Sequence, residues 1–139
     1  MKYLLILSCL LFTSVGWSKD VNWNDLIISN QDGLYYEKFK DVPFTGDVVG
    51  AKRGIIIKGK REGEWLIYHN NGQLEEDVNF KDGKKEGEYL RYSKNGKLYH
   101  KGNYKNDKID GEYLTYYQNG QLKRTEIYKD GELIKTINH

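Results

Sequence analysis

"EGEWLIYHNNGQLEEDVNF", residues 62–80, returns 24 positions later as "EGEYLRYSKNGKLYHKGNY", residues 86–104. Laid against itself at that offset, the chain shows 12 identities between residues 59–82 and 83–106, and 11 between 83–106 and 107–130. Unrelated segments of this length share roughly one or two, so the repeat is internal and real.

The recurring residues define the unit. Asn71-Gly72, Asn95-Gly96 and Asn119-Gly120 stand at equivalent places, and Asn-Gly favours the positive φ of a type I′ hairpin turn. Leu66 and Tyr68 precede the first turn and Leu74, Val78 and Phe80 follow it, the alternation of a strand. Each unit therefore reads as one β-hairpin. The joints "FKDGKKEG", "YKNDKIDG" and "YKDGE" are turn-forming clusters too short for a crossover helix, so neighbouring strands pair antiparallel. The expected fold class is all-β: an antiparallel β-meander of tandem 24-residue β-hairpin repeats in one extended sheet. A lone hairpin is marginal in water, which explains the repetition: each unit covers its neighbour's edge.

The chain divides accordingly. Residues 1–18 carry one basic residue, Lys2, an apolar run from Leu4 to Phe12, and small residues at Ser14, Gly16 and Ser18. This is the layout of a signal peptide cut near Ser18, with Gly16 as a second candidate, and implies export to the periplasm or beyond. The apolar run is too short to span a bilayer. Cys9 lies too early in it, and the run continues past it, which argues against lipoprotein anchoring there. Residues 19–58 read as an N-terminal cap and degenerate repeat, 59–131 as three tandem repeats, and 132–139 as a C-terminal edge strand or tail. Pro43, the only proline, suits a bend or sheet edge.

The net charge of +2 falls by one on loss of Lys2, leaving no field to attract nucleic acid. Removal of Cys9 would leave no cysteine, hence no disulfide. The three histidines, His69, His100 and His139, show no metal-ligand spacing. Glu64, Glu88 and Glu112 recur as a carboxylate ladder that reads as solvated strand starts, so no catalytic residue, metal or cofactor is expected. The suggestive constellation is aromatic. Trp65, Tyr89 and Tyr113 share one face and Tyr68, Tyr92 and Tyr116 the other. Assigning the core to the Leu66/Tyr68 parity leaves Trp65, Tyr89 and Tyr113 as a partly exposed ladder for binding a partner.

"EGEWLIYHNNGQL", "EGEYLRYSKNGKL" and "DGEYLTYYQNGQL" resemble the MORN repeat variant, and "GLYYEKFKDVPFTGDV" is similar to the segment before such repeats in bacterial YwqK-like antitoxins. The resemblance implies a hairpin-repeat fold and an antitoxin or immunity role, neutralising a toxin by direct binding. The exported start departs from cytoplasmic relatives. The residues themselves favour a non-catalytic sheet binding a protein or envelope component, with membrane contact, oligomeric state and ligand left open.

Overall fold

The computed structural model describes residues 19–139; the expected signal peptide and Cys9 lie outside the described residues. Thirteen strands run in chain order. The N-terminal set is β1 (Asp20–Asn22), β2 (Leu26–Ile28), β3 (Tyr35–Glu37), β4 (Gly46–Val49) and β5 (Lys52–Ile57). The repeats supply β6 (Lys60–Tyr68), β7 (Leu74–Lys81), β8 (Lys84–Tyr92), β9 (Leu98–Lys105), β10 (Lys108–Ile109), β11 (Gly111–Tyr116) and β12 (Leu122–Lys129). β13 (Glu132–Asn138) closes the array as an edge strand. One sheet runs β1-β4-β5-β6-β7-β8-β9-β11-β12-β13, with β10 also on β9, and β2 pairs with β3 separately. The expected antiparallel meander is present; the parallel pair β1–β4 is its one exception.

The type I′ turns fall elsewhere than expected. Asn71, Asn95 and Asn119 do not adopt positive φ; the following glycines do, with φ of 83°, 78° and 85°. In the first turn Gly72 N–H donates to His69 O at 2.9 Å and His69 N–H to Gln73 O at 2.8 Å. This is a three-residue loop, a type I turn closed by a left-handed glycine. Asn71 contributes a side-chain oxygen that accepts from Gln73 N–H at 3.1 Å. The two-residue joints with both φ positive are instead the inter-repeat ones: Lys58-Gly59, Asp82-Gly83, Asn106-Asp107 and Asp130-Gly131. Here Asp and Asn tolerate the left-handed region because their short polar side chains bond locally.

A second repeated device ties the first strand of each unit to the joint that follows it. Glu62, Glu86 and Asp110 precede Gly63, Gly87 and Gly111, whose φ values are 66°, 94° and 94°. The resulting kink lets each carboxylate accept a turn N–H about 20 residues on: Asp82 at 2.7 Å, Asn106 at 2.8 Å and Asp130 at 3.1 Å. At the opposite ends, Asn71 Nδ2 donates to Lys94 O at 2.8 Å and Lys97 Nζ to Gln118 O at 2.7 Å. Both sets of turns are thus bonded along the array.

Packing is concentrated at the N-terminal end. Val21, Leu26, Phe44, Val48, Ile56, Trp65, Val78, Phe80 and Tyr89 form the buried cluster. The N-terminal segment packs on the first repeat: the Trp23 ring lies 5.8 Å from that of Trp65, edge to face, and 5.3 Å from Tyr35. Pro43 pairs with Tyr36 in an isolated bridge.

Candidate binding surface

The sheet has a ring face and a leucine face, and their assignment reverses the expected one. Trp65 is 1% exposed and Tyr89 4%, while Tyr113 is half-buried. Trp65 and Tyr89 belong to the core and Tyr113 packs against it, so the reading of a partly exposed ladder is corrected for Trp65 and Tyr89. One physical reason lies in β7. Ile67 pairs with Glu76 but Tyr68 with Leu74, so Glu75 is an extra residue in a β-bulge. Leu74 consequently falls on the opposite face from Val78 and Phe80, and the single stripe expected from alternation splits in two.

A second reason is the fit around the rings. Across the sheet Trp65 faces Val78, Val78 faces Tyr89, and Tyr89 faces Gly102. Small residues alternate with large ones. A Cβ on Gly102 would stand 2.5 Å from the Tyr113 ring, and one on Gly54 would overlap the Trp65 ring. The next row adds the perpendicular pairs Trp65–Phe80, Tyr89–Tyr104 and Tyr113–Tyr128, with centroids 6.2, 5.5 and 6.3 Å apart. Edge-to-face geometry sets the positive edge of one ring against the negative face of the other. Burial, reinforced by Glu76, which accepts from the hydroxyl at 3.0 Å, drives the Tyr89 phenol well above its ordinary range. Burial pushes Tyr113 up to about 12.

The leucine face is the open one. Leu66, Leu90 and Leu114 recur on it, half-buried, with Tyr68, Tyr92 and Tyr116 alongside. Between the leucines stand Asp77, paired in register with Leu66 and Leu90, and Lys101, paired with Leu90 and Leu114. Lys101 Nζ meets Glu88 at 2.7 Å, which raises its pKa. Asp77 is raised by burial and then by Glu64 and Glu88. The Glu64, Glu88 and Glu112 ladder is exposed on this same side. The surface is therefore a regular alternation of apolar stripes and charge. Where it meets the Asn-Gly turns, Tyr68, His69, Glu75, Arg91 and Lys94 line an open groove of about 540 Å³.

The histidines serve the scaffold. His69 Nε2 lies 3.0 Å from Tyr92 O and Nδ1 3.4 Å from Glu75, which ties one repeat to the next. His100 Nδ1 is 3.2 Å from the Thr115 hydroxyl, and His139 Nε2 is 3.1 Å from that of Thr125. Among the described residues no group of three or more His, Cys, Asp or Glu side chains is placed to hold a metal. Sequence reasoning missed the turn-binding acids Glu62, Glu86 and Asp110. Their signal was the acid-glycine pair repeated every 24 residues.

Tandem hairpins, each supplying an edge-to-face ring pair and an acid lock, define a β-repeat protein. The MORN repeat variant model matches residues 61–82, 85–106 and 109–138, together more than half of the chain, and the chain belongs to that family. No curated protein matches it.

Proposed function

We propose that this protein is a non-catalytic binding module whose leucine face takes up a protein or cell-envelope partner. The observation that carries the reading is the repeated Leu66/Leu90/Leu114 stripe, half-exposed and interleaved with Asp77 and Lys101. Periodic apolar stripes with charges between them offer area for affinity and charge for register. Export by the leader at residues 1–18 places that partner in the envelope or outside the cell. N-terminal sequencing of the mature protein tests the export step, with Lys19 expected as the first residue.

An immunity role is the narrower form of this reading, with a toxin as the partner. The binding test uses a variant that leaves the core intact. Leu90→Ser with Leu114→Ser should keep the β-sheet circular dichroism while abolishing crosslinked capture from envelope fractions. Capture undiminished by this pair would refute the assignment of the leucine face. Substituting Trp65, Tyr89 and Tyr113 cannot serve, because those side chains hold the fold.

A further inference from the structure

Arg61 lies between the cap and the first repeat. Its guanidinium sits 3.8 Å from the centre of the Phe80 ring, and 5.8 and 5.9 Å from those of Trp65 and Tyr35. Its Nε is buried with no hydrogen-bond partner, and no carboxylate among the described residues forms an ion pair with it. Burial depresses its pKa, the direction expected of a cation withdrawn from water without a counter-ion. The group lines a cavity of about 300 Å³ shared with Tyr35, Gly59, Lys60, Gly83 and Lys84.

Two carboxylates also border the cavity. Asp32 is occupied, accepting from the Tyr36 hydroxyl at 2.6 Å and from Leu34 N–H at 3.0 Å. Asp82 belongs to the neighbouring type I′ turn. Three cations against two carboxylates leave the lining positive, and none of the three forms an ion pair among the described residues. Shielding the Phe80 ring does not by itself require a guanidinium. The same place in later units is held by Lys85, then Ile109, then Leu133. Lys85 stacks over Tyr89 and Tyr104 at 5.1 and 4.8 Å without a cap above it. Among the repeat units, only the first brings together a planar fork, flanking lysines and a cavity bordered by residues of the N-terminal segment.

We propose that this cavity is an oxyanion site, in which the Arg61 fork receives a carboxylate or phosphate group and Lys60 and Lys84 close over it. Arg is suited to this task because its planar N–H donors match both groups in a bidentate fashion. The site is separate from the leucine face and stands whether or not that face binds a protein.

The Arg61 guanidinium lies 5.8 Å from the Trp65 ring, and Trp23 packs against Tyr35, which lines the cavity, so intrinsic tryptophan fluorescence reports on the site. The probes are inorganic phosphate and acetate, titrated at constant ionic strength into the full mature chain. A saturable change is expected with at least one of them, and the stronger responder identifies the preferred anion. Arg61→Met keeps an unbranched apolar stem over Phe80 and should weaken the response about tenfold or more. Lys85→Met, at the equivalent but uncapped place, should leave it within about twofold. Absence of saturation with both anions in the wild-type protein overturns the proposal. So does an equal loss in the Arg61 and Lys85 variants, which would mark a diffuse charge effect. If Arg61→Met fails to fold, Arg61→Lys decides: it retains charge but not the fork, and unchanged affinity in a folded Lys variant overturns bidentate recognition.

Discussion

Trp65 and Tyr113 occupy the same place in units two periods apart, yet their surroundings differ. Trp65 is roofed by Trp23 and the cap, whereas Tyr113 has Tyr128 and His100 beside it and no cap above. The buried hydrophobic cluster ends at Tyr89, with Tyr113 half-buried against it, and every residue of β13 is exposed, with Leu133 at 52% and Ile134 at 64%. The repeat alone thus makes a sheet, and the cap turns one end of it into a core. A hairpin's stability depends as much on what covers it as on its own sequence.

Breaking the covered end should cost most. Trp65→Ala is expected to lose about 3–5 kcal/mol in denaturant unfolding, and Tyr113→Ala roughly half of that. Equal losses would show that the cap adds nothing. Gly102→Val should rank next, at about 1–3 kcal/mol, since the added carbons enter the Tyr113 ring. Glu86→Ala removes the acceptor for Asn106 N–H and should cost about 1 kcal/mol. Hydrogen exchange sharpens the contrast further. Amides of β6 and β7 should be the slowest, and those of β13 the fastest among the repeat strands.

The smallest expected effect is acid dependence at His100. Burial, then Arg91, holds its pKa below the ordinary 6.5. The unfolded chain therefore binds the proton more readily than the folded one. The contribution of His100 is complete above about pH 6.5 and declines as pH falls toward the depressed folded value. His100→Gln should flatten that part of the stability profile, measured by thermal melts across the acid range.

The 24-residue period, the hairpins and the antiparallel order were all legible because they follow from local turn chemistry and alternation. The choice of buried face was not. It depends on the extra residue at Glu75, on Gly54 and Gly102 lying beneath rings from neighbouring strands, and on a cap whose own sequence is not periodic. Counting leucines favoured the Leu66/Tyr68 side, but ring packing against small cross-strand partners decided for Trp65. The Asn-Gly turns misled in a similar way. Asn-Gly supplies a left-handed glycine equally well to a three-residue loop, and strand register, a tertiary property, selects between the two. The surroundings of Arg61 were not legible because Tyr35, whose ring lies 5.9 Å from its guanidinium, comes from outside the first repeat.

The acid-glycine lock gives the array a further property. Each junction uses the same bond from a carboxylate to the next turn and the same ring pair, so one more module between residues 106 and 107 would find both of its neighbours prepared. Lengthening by duplication would advance the far edge by about 10 Å per module and leave the cap untouched. Reach, in such a molecule, can be inherited in whole steps.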